Sequence, residues 1–193
     1  MSIRILVAAV LGAAATLAIP AVAQTQLDRN QIINSLHGLP VSGHGVTAAA
    51  LRQQAAANIA NNPGDDATTA LPLSEQLAKL RQFNVEIVFD FDSATIRPES
   101  YETIGLMADA LHHPYLLQYR FLVVGHTDAK GDRTYNLELS QKRAGSIMEA
   151  LTTTFRVPAD RLEAVGLGEE QLRDPADPYS QANRRVQLIN IGS

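Results

Sequence analysis

Residues 125–143 read GHTDAKGDRTYNLELSQKR, and this stretch holds the side chains best placed to do chemistry. Gly125 and Gly131 bracket a short loop that follows the apolar run Phe121 to Val124. Polar groups in such a loop stand at the carboxyl end of a buried strand, the usual ligand-facing end of an open α/β sheet. Asp128 offers a carboxylate there. Beyond the loop, Asn136, Ser140 and Arg143 recur at i, i+4 and i+7, nearly one angular position on a helix and one that borders its apolar stripe. Arg143 is thereby tethered close to the sheet. A loop carboxylate and a helix guanidinium facing one pocket, with no nucleophile between them, suit a zwitterion: an amino-acid head brings an ammonium for Asp128 and a carboxylate for the Arg143 fork. Charge-assisted contacts of this kind contribute about 1.5–3 kcal/mol each.

Other chemistries are poorly provided for. His126 stands beside Thr127 and Asp128, yet His-x-Asp lacks a third ligand at helical or hairpin spacing, and His112-His113 have no reason to converge on it. No metal and no other cofactor is expected. Ser93 and Ser140 lie in no G-x-S-x-G elbow, so a serine hydrolase is not expected either. The absence of Cys removes thiolate catalysis, Cys-ligated zinc, iron–sulfur clusters and a cysteine-borne lipid anchor. With 16 Lys+Arg against 20 Asp+Glu and a net charge of -4, the chain has no polybasic field for phosphates, and nucleic acid is not an expected partner. The expectation is a binding protein, not an enzyme.

The scaffold for these residues is readable from residue 84 onward. NVEIVFDFD places Val85, Ile87, Phe89 and Phe91 on one side and Glu86, Asp90 and Asp92 on the other, the period of a half-buried strand. A helix over ESYETIGLMADALHH follows, with Ile104, Met107, Ala108 and Leu111 inward, ended by Pro114. YRFLVVG is nearly continuous apolar, which predicts a central strand covered on both faces. Helical spacing returns from about Thr134 to Thr154, with Leu137, Ala144, Met148 and Leu151 as the buried stripe. RLEAVGLG and NRRVQLINI supply two further strands, separated by the turn-rich DPADPYSQA. The expected fold class is α+β, a β-α-β-α-β-β mixed sheet with flanking helices.

Residues 1–23 look like an address. One positive side chain, Arg4, precedes an uncharged run from Ile5 to Ile19, and Ala21-Val22-Ala23 forms a small-x-small cleavage site behind Pro20. The run is shorter than the roughly 20 residues a membrane span needs, so a secretory signal peptide is expected, with no integral span after its removal. Residues 24–83 form an Ala-rich helical segment or linker, partly disordered, in which Leu27, Ile32, Ile33 and Leu36 make one stripe while Ala48, Ala49, Ala55 and Ala56 bury little area each. Such helices need something to dock on. The expected division is therefore 1–23, 24–83 and 84–193.

Five segments in order, VFDFDSATIRPES, VVGHTDAKGD, YNLELSQKRA, VGLGE and NRRV, resemble the OmpA-like C-terminal domain of the OmpA/MotB peptidoglycan-binding family over about residues 84–191. The resemblance implies noncovalent binding of peptidoglycan through the free amino-acid end of meso-diaminopimelate in the stem peptide. It implies that Asp128, in TD-x-x-G, and Arg143, in LS-x-x-RA, are the gripping pair. Asn136 then braces the loop, Thr127 and Gly131 shape it, and Arg184 and Arg185 of NRRV line or support the pocket. The implied location is the periplasm, in association with the cell wall or outer membrane, in an anchoring or organising role. One departure concerns the loop 169–182, where the family carries a proline soon after its Gly-Glu pair and this chain has Leu172 before Arg173-Asp174-Pro175. The alternative is a structural envelope adaptor that binds another envelope protein through residues 24–83 without holding the wall.

Overall fold

The computed structural model describes residues 27–38, 46–63 and 74–193; the expected signal peptide lies outside the described residues. Helix α1 (Arg29–Leu36) starts at a capping box in which Asp28 and Gln31 exchange side-chain and backbone bonds. Helix α2 (Ala48–Asn61) is capped by the Thr47 hydroxyl, and the short α3 (Ser74–Lys79) leads into β1 (Gln82–Val85). Then come α4 (Tyr101–Leu111), β2 (Arg120–His126), α5 (Arg133–Glu149), β3 (Leu162–Gly168) and β4 (Val186–Gly192). From β1 onward the order is β-α-β-α-β-β.

The strands lie side by side as β1-β4-β2-β3, with β2 and β3 parallel and the other two pairings antiparallel. This is an α+β mixed sheet with β2 and β4 interior. Alternation along each strand splits the core into two layers. On one face Phe121, Val123, Val186 and Leu188 pack under α1, α4 and Ala144, Ile147 and Leu151. On the other, Leu122, Val124, Val165, Leu167 and Ile189 pack under Leu51 and Ala55 of α2, Leu77 of α3 and Leu80 just after it. The Ala-rich helices thus dock on the sheet, because the continuous apolar run of β2 presents two faces and each must be covered.

Three expectations about local structure need correction. The first strand ends at Val85, not Asp92: the chain leaves the sheet, and Phe89 and Ile96 make only an isolated bridge. Asp90 N–H donates to Thr95 O at 3.0 Å, closing a turn in which Asp92 takes φ 53° and Phe91 points fully into solvent instead of joining Val85 and Ile87. The buried line of α5 is Asn136, Ser140, Ala144 and Ile147, while Leu137 and Met148 are only half-buried. The helix also stops at Glu149, and Ala150–Thr154 widen into a π-helical turn. There the Thr152 and Thr153 hydroxyls donate to the carbonyls of Met148 and Glu149 at 2.7–3.1 Å, competing for the acceptors of an α-helical ladder.

Candidate functional site

Close approach of α5 to the sheet creates the site. A Cβ on Gly166 would stand 2.0 Å from the Gln141 nitrogen, and one on Gly125 would stand 2.5 Å from the Ser140 carbonyl oxygen, so only glycine admits the helix backbone here. The small side chain of Ser140 fits the same gap and bonds both elements: its Oγ donates to Leu137 O and accepts from Gly168 N–H, each at 2.8 Å. Gln141 Oε1 accepts from Gly166 N–H at 2.9 Å. Together with Arg52 of α2, whose Nη2 donates to Ala164 O at 3.3 Å, it shields the free edge of β3.

The loop between β2 and α5 is held from several sides. Thr127 N–H donates to Gly168 O at 2.9 Å and Ala129 N–H to Pro178 O at 3.0 Å. Asp128 Oδ1 accepts from Lys130 N–H at 3.2 Å, an Asx turn, and Gly131 takes φ +102°. Asn136 Nδ2 donates to Glu169 Oε2 at 2.6 Å, Lys130 O at 3.2 Å and Asp128 O at 3.3 Å, so this side chain braces the loop. Asp132 caps α5 by accepting from Tyr135 N–H at 2.8 Å. Thr127 is buried, and its hydroxyl has no partner among the described residues.

Asp128 is buried and accepts from Arg184 Nη1 at 2.5 Å through Oδ2. Its direct ion partner is therefore Arg184, not the Arg143 with which spacing alone pairs it. Arg143 is half-buried, donates from Nε to Ser93 O at 2.9 Å, and lies with Cζ 4.9 Å from the Phe89 ring centre. Burial lowers the Arg143 pKa, Tyr135, Asp92 and Asp128 oppose that shift, and Arg184 adds to it. Arg143 lines a cleft of about 220 Å³ together with Phe89, Gly125, His126, Arg184 and Arg185. Asp128 stands behind Arg184 and is not part of this wall. The structure thus gathers Asp128, Arg143, Arg184, Thr127, Asn136 and Gly131 at the carboxyl end of β2, with Arg184 as the link between carboxylate and cleft.

Two structural groups were not singled out by sequence. Asn183 is fully buried, accepts from Asp174 N–H at 2.8 Å and donates to the carbonyls of Asp174, Asp177 and Pro178 at 3.0–3.3 Å. It shapes the 174–178 part of the loop 169–182 and so sets where Arg184 begins. The two Asp-Pro steps with an Asn nearby were the available signal. Arg133 and Glu170 form a buried bidentate pair at 2.5 and 2.7 Å, sealed by Asn58 Nδ2 on Glu170 and by Asn62 O on Arg133. No local pattern distinguishes that glutamate from a solvated one.

His126 is buried against β4, with Nε2 2.6 Å from Gln187 Oε1 and Nδ1 without a partner among the described residues. Burial first, and the Arg185 charge next, hold its pKa well below the ordinary value. Above roughly pH 6.5 the imidazole is neutral folded or unfolded; below that value the unfolded chain takes a proton that the folded chain refuses. Stability is therefore expected to fall as pH drops from 7 to 5. Urea unfolding across that range should give a steeper fall in midpoint for the wild type than for His126→Gln. Equal slopes would remove His126 as the source.

A mixed sheet with a braced carboxylate loop and a guanidinium-lined cleft at the end of its central strand defines an α+β ligand-binding domain. The chain belongs to the OmpA family, whose model matches residues 88–187. It is 34% identical over 144 residues to the peptidoglycan-associated lipoprotein of Brucella melitensis biotype 1, covering 69% of this chain and 80% of that protein. It is also 34% identical over 116 residues to outer membrane porin F of Pseudomonas aeruginosa, covering 58% of this chain and 32% of the porin, so the chain spans about a third of that relative. Among solved structures, the peptidoglycan-associated lipoprotein from Burkholderia pseudomallei is 32% identical, with 62% of this chain and 98% of that chain covered and a TM-score of 0.45.

Proposed function

We propose that this protein binds peptidoglycan noncovalently in the periplasm, holding the amino-acid end of meso-diaminopimelate in the stem peptide, as an envelope anchoring or organising protein. The observation that carries this reading is the state of Arg143. Its Nε is engaged by Ser93 and its face by Phe89, its two Nη groups have no hydrogen-bond partner among the described residues, and the residue lines the cleft. A guanidinium fork fixed in this way suits a carboxylate. The ammonium of the same ligand head goes to Asp128, whose carboxylate is held by Lys130 N–H, while Arg184, with a side chain 47% exposed, has room to swing aside or share the oxygen. Thr127, Gly131 and Asn136 hold the loop that presents Asp128.

The printed name of the Brucella relative, a peptidoglycan-associated lipoprotein, supports the same ligand class. In this proposal residues 1–23 are the removed address, 84–193 the wall-binding unit and 24–83 the helical segment whose described helices pack against it. The apolar stripes of α1 and α2 are engaged by the sheet, which favours this reading over a free adaptor arm.

The test is co-sedimentation with diaminopimelate-containing sacculi, followed by calorimetry with soluble stem peptides. Asp128→Ala and Arg143→Ala are each expected to weaken binding by roughly 10- to 100-fold, one charge-assisted contact apiece, with unfolding temperature nearly unchanged. A stem peptide with lysine in place of diaminopimelate lacks the second carboxylate and is expected to lose a similar factor. Full retention of both variants on sacculi, or equal affinity for the two peptides, would sink the reading.

A further inference from the structure

The wall next to the cleft carries more positive charge than one ligand carboxylate can answer. A second cleft, of about 230 Å³, adjoins the first and shares Glu86, Gln181, Arg184 and Arg185 with it, adding Arg173. Four guanidiniums, those of Arg143, Arg173, Arg184 and Arg185, thus line the two adjoining clefts with one carboxylate, Glu86, while Asp128 stands behind Arg184. Asp128 answers Arg184, whereas among the described residues Glu86 accepts only from Gln181 Nε2, at 3.0 Å.

Arg185 is the clearest sign of an unmet charge. It is 8% exposed, donates only to the neutral carbonyls of Asn183 at 3.4 Å and Gln171 at 3.1 Å, and leaves Nε without a partner among the described residues. Burial first, and the like charge of Arg173 next, lower its pKa to about 10. A buried guanidinium with a second one beside it and no carboxylate on it is unfavourable until an anion arrives.

We propose that Arg173 and Arg185 form a second anion subsite, which takes another carboxylate of the same stem peptide while the diaminopimelate head occupies Arg143 and Asp128. This rests on the proposed function and extends it to a two-carboxylate recognition. A stem peptide offers two such groups: the free carboxylate of the side-chain-linked glutamate before the diaminopimelate, and the carboxylate at the peptide's end.

Calorimetry on the full chain separates them with three diaminopimelate peptides: unmodified, amidated on the glutamate carboxylate, and amidated at the carboxyl terminus. Amidation of the carboxylate that occupies the subsite is expected to weaken wild-type binding about tenfold, the size of one lost charge-assisted hydrogen bond. In Arg173→Gln, a change at an exposed side chain that spares the fold, the same amidation should cost clearly less than in the wild type, because one of the two partner charges is gone and only Arg185 remains. A wild type indifferent to both amidations, or a penalty unchanged in Arg173→Gln, would overturn the subsite. Preference for diaminopimelate over lysine without any amidation penalty removes the subsite alone. Absence of binding to every peptide removes the functional reading and the subsite together.

Discussion

Glu170→Ala is expected to lower the free energy of unfolding by about 3–5 kcal/mol, the range for breaking a buried ion pair from one side. The carboxylate is almost wholly buried, with a side chain 1% exposed, and it receives both Nε and Nη2 of Arg133 as well as Nδ2 of Asn58. Its removal leaves the Arg133 charge inside the protein without its bidentate carboxylate, with the charge of Glu169 as a further influence on it. The damage extends beyond stability. Arg133 is the first residue of α5 and follows directly on the loop that presents Asp128, and Glu169, next in the chain to Glu170, holds Asn136. Stem-peptide affinity should therefore fall in the same variant. The double change Arg133→Met with Glu170→Leu removes both charges and should be far less destabilised than the sum of the single changes. Urea unfolding of the three variants checks this, and additive losses would mean that the pair is not coupled as its geometry requires.

A second large effect is expected from a single methyl group. In Gly166→Ala the new Cβ would lie 2.0 Å from Gln141 N, 2.4 Å from Ser140 Oγ and 2.5 Å from Gln141 Cα, contacts made chiefly with backbone that cannot rotate away. Helix α5 has to lift from the sheet, at a cost of about 3 kcal/mol or more, the upper end of overpacking effects. Lifting it carries Arg143 and Asn136 away from the cleft and the loop, so any protein that folds should have lost binding as well. Gly145→Ala on the same helix is the contrast. Nothing lies within 4 Å of a Cβ there, and helix propensity predicts a gain of about 0.5–1 kcal/mol. Thermal unfolding of the two variants should move in opposite directions, and a neutral Gly166→Ala would show that the helix does not sit on the glycines.

Much of this molecule is legible along the chain. The apolar run Phe121 to Val124 marks the central strand, Ile104, Met107, Ala108 and Leu111 mark the inward face of α4, and the motif segments point to the family. The spacing of Asn136, Ser140 and Arg143 also marks one side of α5. These features are local, because periodicity and turn chemistry depend on neighbours within a few residues. The inward line of α5 departs from its apolar stripe for a reason outside that helix: Gly125 and Gly166 lower the sheet surface, so Ser140 and Asn136 go inward while Leu137 and Met148 stay at the margin. Phe91 shares the strand period of Val85 and Ile87, yet the turn closed by Asp90 and Thr95 points it outward.

The chain alone was sufficient for the order of elements, the two-sided central strand and the residue types gathered near Asp128, since hydrophobic period and glycine placement are written in consecutive positions. Only the packed structure assigned partners. Arg184 reaches Asp128 across 56 positions and Arg133 reaches Glu170 across 37, and the Ala-rich α2 packs on a sheet face that β2, β3 and β4 build together. A charge carries no mark of its future partner in sequence; that choice is made by which side chains the packed core places within a few ångströms of one another, and by which of them it removes from water.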